Sequence, residues 1–216
     1  MEFVDLGEGS DDGTFIVKTK IPSKYIDNAY ELLSKEFPQE KYTLNMAGRE
    51  VLAPRLMVGF SVRYNFNIVT EDVREIKESA VLQGIIDWAN RIFKSFLNGH
   101  EFNSALLNHY RNGEEYIGYH SDNTQRLYKH SPVFTLTLSA NPEGEQRKFY
   151  LKNIKNSHVS KIDCEHGQVL IMGGKCQETH KHSVPKISGK RAPDVPGRIS
   201  ITLRCHRVDV EQKTEL

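Results

Sequence analysis

The sequence has few of the features that mark secreted and membrane proteins. Its 216 residues include three cysteines and no Asn-x-Ser/Thr sequon, and the odd cysteine count gives no paired disulfide framework. The acidic start, MEFVDLGEGSDDG, has no apolar signal core, and no apolar run approaches the ~20 residues that span a bilayer. We therefore expect an intracellular protein, of the nucleus or the cytoplasm, that is not secreted and does not contact a membrane.

An excess of charge of one sign is also lacking. The chain has 29 Lys and Arg against 28 Asp and Glu, a net charge of +1, so a nucleic-acid surface would have to be a local patch. Two basic stretches, 147–161 and 186–191, are candidates, although a solvated surface is the more frequent meaning of such charges. The phosphate contacts expected there are those of Arg147, Lys148, Lys186, Lys190 and Arg191.

Two amphipathic segments predict helices in the first hundred residues. The segment PSKYIDNAYELLSKEF, 22–37, has apolar residues at helical spacing, and Ser23 is placed to cap its start. The segment ESAVLQGIIDWANRIFKSFLNG is more strongly patterned. Ser79 is placed to cap its start, and Gly99 suits the left-handed position after its end. Core packing explains both apolar stripes.

After residue 100 the pattern changes to short alternating segments separated by turn-forming residues. Five of them predict strands, at 102–110, 132–140, 148–153, 168–173 and 198–204. Short strands without intervening helices are typical of an antiparallel sandwich or barrel. Because the length suits one compact domain, we predict a single, monomeric domain over 1–216 in which a helical N-terminal half supports a β-rich C-terminal half.

The stretch GYHSDN carries a candidate metal site. His120 and Asp122 are two residues apart, so at a strand end their side chains point to the same side of a sheet. Two histidines and one carboxylate, with open positions opposite them, form the ligand set of non-haem Fe(II) oxygenases. The second histidine must come from elsewhere, and QETHKHSVP offers His180 and His182, which would face the same way. Periodicity alone does not choose between them.

The strand RISITLR has one apolar face and one polar face. The polar face carries Arg198 and Arg204, with Ser200 and Thr202 between them. On the outside of a sheet this face would be an ordinary solvated surface. Inside a small barrel the two guanidiniums would need anionic partners, and a dicarboxylate with one group at each end would suit them.

Asn108 and Tyr110 form a further polar pair, and the ordered pattern becomes N-x-Y, H-x-D, H-S-V-P and R-x-S-x-T-x-R. This pattern resembles the AlkB family of Fe(II)- and 2-oxoglutarate-dependent dioxygenases. The stretches HEFNSALLNHYRNGEEYIGYHSDN and APRLMVGFS extend the resemblance over residues 50–206. It implies an α+β fold with a double-stranded β-helix (jelly-roll) core at 101–206. Supporting helices and a nucleotide-recognition segment would lie within 1–100, the latter at 50–70, and a tail at 207–216.

The resemblance also implies which residues hold the cofactors, Fe(II) and 2-oxoglutarate. His182 is selected over His180 because the family's metal histidine precedes a short residue, an apolar residue and proline. The implied metal ligands are His120, Asp122 and His182. The implied catalytic set adds Arg198, which would pair with the distal carboxylate of 2-oxoglutarate. The other implied cosubstrate contacts are hydrogen bonds from Asn108 and Tyr110, and a position near the metal-chelating end for Arg204.

The chemistry implied is oxidative removal of N-methyl groups from bases such as 1-methyladenine and 3-methylcytosine, releasing formaldehyde, succinate and CO2. The base must be flipped out or already single-stranded to reach the metal. In the DNA-repair members acidic residues usually follow the metal Asp. Asn123 stands there instead, as in RNA-virus members, and an amide can still accept from an exocyclic amine. DNA and RNA are both expected partners, and the implied substrate contacts are Arg55, Tyr64, Tyr119, Asn123 and Thr124.

Three other hypotheses fit parts of the sequence. A structural zinc site could use Cys164, His166, Cys176 and His180, but it leaves the His-x-Asp pair and both arginines unexplained. A non-catalytic binding module on the same barrel would be expected to lack a metal ligand, and none is missing. An AlkB-type enzyme acting on protein or lipid substrates would keep the same metal site.

Overall fold

In the computed structural model, the described residues are 1–7, 13–46, 49–61 and 74–207. Within them the strands are β1 (Glu2–Phe3), β2 (Phe15–Lys20), β3 (Thr43–Met46), β4 (Arg49–Leu52), β5 (Leu56–Ser61), β6 (Ser104–Tyr110), β7 (Ile117–His120), β8 (Val133–Ser139), β9 (Lys148–Asn153), β10 (Val159–Asp163), β11 (Gln168–Gly173), β12 (His180–Val184) and β13 (Arg198–Arg204). The α-helices are α1 (Ala29–Ser34), α2 (Ala80–Ile92) and α3 (Cys176–Thr179). The predicted tail lies outside the described residues apart from Arg207.

Most of the strands belong to two antiparallel sheets. The large sheet has the order β1-β2-β11-β8-β13-β6-β5 and the small sheet the order β10-β9-β12-β7, while β3 and β4 pair separately. Apolar side chains of both sheets pack together, with Phe149, Leu151 and Ile162 of the small sheet in one buried cluster with Ile16 and Leu170 of the large sheet. This is the jelly-roll arrangement that the sequence resemblance implies.

The alternation along β13 separates the main core from a polar interior. Ile199 and Leu203 are buried in the cluster that also contains Ile85 and Trp88 of α2, so this helix covers the outer face of the large sheet. Residues of the opposite parity point toward the small sheet. Three of them line an internal cavity: Ser200, Thr202 and Arg204. The polar face of this strand therefore lies inside the barrel and is not a solvated edge.

The first predicted helix is wrong in its extent. A 3-10 turn over Ser23–Tyr25 is followed by the short helix α1, so Ser23 begins a turn and does not cap an α-helix. Asn28 separates the two with a φ of 55°, a left-handed conformation that interrupts a right-handed helix. The apolar spacing was informative all the same, because Ala29 and Leu33 pack into the main core.

The second predicted helix begins as expected and ends early. The Ser79 hydroxyl accepts a hydrogen bond from the Leu82 N–H at 3.4 Å, which confirms the predicted cap. The α-helix ends at Ile92, and the rest of the stripe lies in a 3-10 turn over Lys94–Phe96. Gly99 has the expected left-handed φ, 82°.

No helix in the described ranges is long and apolar enough to cross a membrane.

The N-terminal half contains more β-structure than its sequence predicted. β2 pairs with β11 along its whole length, from Phe15 opposite Gly173 to Lys20 opposite Gln168. β5 pairs with β6 on the other side of the large sheet. The N-terminal segments therefore complete the large sheet at both ends, in addition to supplying α1 and α2. All five predicted C-terminal strands are present, and β7, β10 and β12 join them.

Candidate metal centre and cosubstrate pocket

A cavity of ≈ 190 Å³ lies between the two sheets. Strands β6 and β13 of the large sheet form one wall, and β7 and β12 of the small sheet contribute to the other. Because alternate residues of each strand point inward, the polar pairs identified by parity in the sequence meet here. The predicted metal and cosubstrate residues that line the cavity are Asn108, Tyr110, His120, Asp122, His182 and Arg204.

His120, Asp122 and His182 form the one group of candidate metal ligands found in the described part of the chain, and their ligand atoms all lie within 4.8 Å of one another. The strand pairing explains the approach of the histidines. His182 of β12 stands opposite His120 of β7, and their ring centroids are 4.3 Å apart. Asp122 lies two residues beyond the end of β7, and its carboxylate is on the same side as the His120 ring.

The surroundings of both histidines favour the neutral form of the ring, which is the form that binds a metal. His120 Nδ1 lies 3.0 Å from the carbonyl oxygen of Gly118, a contact that assigns the proton to Nδ1 and leaves Nε2 for a metal. Burial lowers the pKa of His182 to about 3, so its ring is neutral at physiological pH. The His182 ring also stacks on Phe149, with centroids 5.3 Å apart and an interplanar angle of 16°.

Asp122 is held ionised in the interior. Burial alone would raise its pKa, but Arg204 and the two histidines outweigh burial and hold the pKa at about 2. Arg204 Nη2 donates to Oδ1 at 2.6 Å, and the backbone N–H of Asp122 donates to Gln177 Oε1 at 2.8 Å. Oδ2 is buried and accepts no hydrogen bond from the described residues. A bound cation would satisfy this oxygen, so the donor set fits Fe(II).

The alternative zinc site is not assembled. Cys164, His166, Cys176 and His180 form no ligand group within the described ranges. Burial raises the pKa of Cys176 to about 12, so in the absence of a metal its sulfur is a thiol. His180 has another role, because its Nδ1 lies 2.8 Å from Thr179 Oγ1 and its carbonyl accepts from the Ser121 hydroxyl at 2.9 Å. His180 thus supports the segment that carries Asp122.

Arg198 has the features of an anion anchor. It is buried, with 2% of its surface exposed, and its Nη2 donates to Thr137 Oγ1 at 3.0 Å. Nε and Nη1 are buried and make no hydrogen bond to the described residues. Its guanidinium lies 6.0 Å from the ring centroid of Tyr110. A buried guanidinium with unsatisfied donors needs a carboxylate, which fits the distal end of 2-oxoglutarate.

The residues expected to contact substrate divide into two groups. Arg55 and Asn123 line the cavity, and Arg55 Nε donates to Asn108 Oδ1 at 2.6 Å. Tyr119 and Thr124 are exposed and are not among the lining residues. Tyr119 lies on the opposite side of β7 from His120, as strand alternation requires. Tyr64 lies outside the described residues.

The expected phosphate contact of Arg147 is wrong. This side chain is 3% exposed, and it donates to the backbone carbonyls of Asn112, Glu115 and Pro185 at 2.6 to 2.9 Å. Burial lowers its pKa to about 10. The guanidinium hydrogen-bonds inside the fold, where it links separate loops. The other four expected phosphate contacts are exposed: Lys148, Lys186, Lys190 and Arg191.

Two supporting residues were not predicted. Thr137 holds one end of the buried Arg198 guanidinium, and Phe149 forms the wall on which His182 stacks. A signal for Thr137 was present, because PVFTLTLSA alternates in the same way as RISITLR and the two strands are adjacent in the sheet. Nothing in the local sequence distinguishes Phe149 from an ordinary core residue.

Comparison with known proteins gives the class of enzyme. Residues 13–204 match the model of the 2OG-Fe(II) oxygenase superfamily, and the chain belongs to this superfamily. The expected class of activity, a 2-oxoglutarate-dependent dioxygenase, is confirmed by this match. A solved structure of OsALKBH1 has a TM-score of 0.54 with 19% identity and covers 88% of this chain and 97% of that one, which confirms the jelly-roll fold.

The relatives place the chain among the AlkB-like members. It is 27% identical over 224 residues to DNA oxidative demethylase ALKBH2 of Arabidopsis thaliana, covering 93% of this chain and 68% of the relative. It is 28% identical over 192 residues to alpha-ketoglutarate-dependent dioxygenase alkB homolog 3 of Bos taurus, covering 84% and 62%. An RNA replication protein of Grapevine virus A is 30% identical over 112 residues, 52% of this chain and 6% of that protein. The chain thus spans about two thirds of the length of the Arabidopsis and Bos taurus relatives.

Proposed function

We propose that this protein oxidatively demethylates nucleobases that carry a methyl group on a ring nitrogen, of the 1-methyladenine and 3-methylcytosine type, in DNA or RNA. The observation that carries the proposal is one cavity that joins three candidate metal ligands to a wall of cosubstrate residues. Two relatives that align with most of the chain support it, since one is named as a DNA oxidative demethylase and the other as an alkB homologue.

In the proposed mechanism, Fe(II) with 2-oxoglutarate and O2 supplies, when bound, the oxidising power to hydroxylate a methyl C–H bond. The chain positions the participants. His120, Asp122 and His182 would hold the metal. Arg204 restrains Asp122 Oδ1 through the 2.6 Å hydrogen bond and so leaves Oδ2 for the metal. The hydroxymethyl product then loses formaldehyde: the N–C bond breaks, its electron pair stays on the ring nitrogen of the restored adenine or cytosine, and the hydroxyl proton is released to solvent.

A second set of residues would orient the cosubstrate and exclude water from it. Arg198 would hold the distal carboxylate through Nε and Nη1, which have no partner among the described residues, and Tyr110, which lines the cavity, would hydrogen-bond the cosubstrate. Apolar side chains complete the wall: Leu106, Phe149 and Val184. Exclusion of water strengthens every charge–charge contact inside the cavity.

The substrate reaches this interior as a single exposed base. A base within a duplex cannot enter a cavity between two sheets, so the base must be unpaired or flipped. We therefore propose a preference for single-stranded nucleic acid, with phosphates contacted by the exposed cations Lys186, Lys190 and Arg191. The protein would act as a monomer in the nucleus or cytoplasm.

The proposal is tested by formaldehyde and succinate release from a panel of methylated DNA and RNA oligonucleotides, single- and double-stranded, with Fe(II) and 2-oxoglutarate. A methylated peptide arm tests the protein-substrate alternative. His182→Ala is the inactive control, because it removes a proposed metal ligand. Oligonucleotides left methylated in every arm, while the enzyme still turns over 2-oxoglutarate, would refute the nucleic-acid substrate.

A further inference from the structure

The amide of Asn123 presents donors to the cavity. This residue lines the cavity and follows the metal ligand Asp122 directly. Its Oδ1 accepts the backbone N–H of Gln125 at 2.9 Å, and this turn contact fixes the orientation of the amide. The oxygen therefore faces the backbone of its own turn, and the end of the side chain directed away from this contact is the NH2 group, with two donors.

Arg55 presents further donors to the same space. Its Nε donates to Asn108 Oδ1 at 2.6 Å, and beyond Nε the side chain ends in two Nη amino groups. A guanidinium has five N–H donors and no acceptor, and it keeps its charge in proteins. Arg55 is 7% exposed and lines the cavity, so its charge is poorly screened by solvent.

The cavity has an excess of positive charge. Among the described lining residues the guanidiniums of Arg55 and Arg204 face one carboxylate, Asp122, and Asp122 is already paired with Arg204. Fe(II) and the dianion 2-oxoglutarate add no net charge between them, and Arg198 would meet the cosubstrate. A cationic base would therefore enter a region of its own sign, where the described lining residues offer no carboxylate besides the already paired Asp122.

On the basis of the function proposed above, we propose that the preferred base is uncharged and carries its methylated ring nitrogen between two carbonyls, as in 3-methyluracil of RNA or 3-methylthymine of DNA. Both carbonyl oxygens accept hydrogen bonds, which matches the donors of Asn123 and Arg55. The bases 1-methyladenine and 3-methylcytosine are cations that present an exocyclic amine, a donor facing donors. They are substrates of the same chemistry but poorer ones. In this proposal the Asn123 amide acts as a donor and not as the acceptor that the sequence suggested, because its oxygen faces the Gln125 N–H.

The test compares matched single-stranded oligonucleotides that differ in one base. Each carries 3-methyluracil, 3-methylthymine, 3-methylcytosine or 1-methyladenine, in RNA and DNA arms. Two readouts are taken: formaldehyde release by the Fe(II) enzyme, and equilibrium binding to metal-free protein by fluorescence anisotropy. The informative variant is Asn123→Asp, because a carboxylate oxygen still accepts the Gln125 N–H while the donors are lost and a negative charge is gained. The matched control is Asn112→Asp, whose oxygen caps Glu114 in the same kind of turn at 2.9 Å and does not line the cavity.

The wild-type protein is expected to favour the two uncharged bases over the two cationic ones by about tenfold in kcat/KM, with the same order in binding. Asn123→Asp should reverse the order, and Asn112→Asp should keep it. A wild-type preference for 3-methylcytosine or 1-methyladenine would overturn this inference and leave the proposed function standing. No demethylation of any base, with 2-oxoglutarate turnover intact, would overturn both. The RNA and DNA arms decide which polymer supplies the base.

Discussion

Arg204 Nη2 lies 2.6 Å from Oδ1 of Asp122, and both side chains are nearly buried. This contact joins β13, an interior strand of the large sheet, to the proposed metal site on the small sheet. It restrains one oxygen of the carboxylate and holds the pKa of Asp122 at about 2 against the opposing effect of burial. The guanidinium therefore acts on the metal site through Asp122.

Replacing Arg204 with Met should weaken metal binding and make it more sensitive to acid. Without the guanidinium, burial raises the pKa of Asp122, and a carboxylate must be ionised to bind a metal. In the wild type this carboxylate stays ionised until the pH falls through about 2; in the variant its protonation, and with it the loss of metal, begins at a higher pH. Mn(II) titrations between pH 5 and 8 measure this. Arg204→Lys keeps the charge and should restore part of the affinity, whereas identical profiles for Met and wild type would contradict the account.

Replacing Arg198 with Met should raise the dissociation constant of 2-oxoglutarate by about 100-fold, because charge-assisted hydrogen bonds to a buried carboxylate are lost. Thr137→Val removes the hydroxyl that orients Arg198 and should have a smaller effect. Binding is measured under anaerobic conditions with Mn(II), so turnover does not enter. Arg191→Met, on the exposed surface, is the control. Unchanged 2-oxoglutarate affinity in Arg198→Met would show that the cosubstrate lies elsewhere.

The His180→Ala and His182→Ala variants should differ clearly in iron content. His182→Ala removes a proposed ligand and should lose iron. His180→Ala should retain iron and uncoupled 2-oxoglutarate turnover, because His180 belongs to the supporting contacts with Thr179 and Ser121. Iron content per chain after reconstitution is the measurement. Loss of iron in His180→Ala together with retention in His182→Ala would mean that the ligand has been misassigned.

Arg147 should matter for stability and not for nucleic-acid binding. Arg147→Ala leaves three buried carbonyls without their donor and should cost about 3 kcal/mol of unfolding free energy. Its neighbour Lys148 is exposed and pairs with Asp163 at the surface. Lys148→Ala should therefore have an unfolding free energy near the wild-type value. Urea denaturation of both variants checks this. If Arg147→Ala were as stable as the wild type but bound oligonucleotides more weakly, this account would be contradicted and a phosphate contact of Arg147 would be supported.

The site was more predictable from the sequence than the fold around it. Parity along single strands identified His120 with Asp122 and Arg198 with Arg204, because a period of two puts such residues on one face regardless of what lies opposite. Parity could not choose between His180 and His182, and it could not say whether the polar face of β13 points inward. Those answers depend on which strand lies alongside, as when His182 stands opposite His120.

The N-terminal half was harder to predict for the same reason. The segments β2 and β5 form strands because they pair with β11 and β6, which lie far along the chain. Local propensity carries little information about such distant pairing. Arg147 was misplaced because a basic stretch reads alike whether its cations are solvated or buried. The three carbonyls that bind its guanidinium come from two other segments, around Asn112 and around Pro185.

The central claim is that this cavity removes a methyl group from a nucleobase. The most direct measurement is mass spectrometry of a single-stranded oligonucleotide with one N-methylated base, after incubation with Fe(II), 2-oxoglutarate and O2. The account predicts loss of the mass of one methylene, with one formaldehyde and at least one succinate for each base restored, and no loss with His182→Ala. An oligonucleotide of unchanged mass, alongside continued succinate formation, would contradict it.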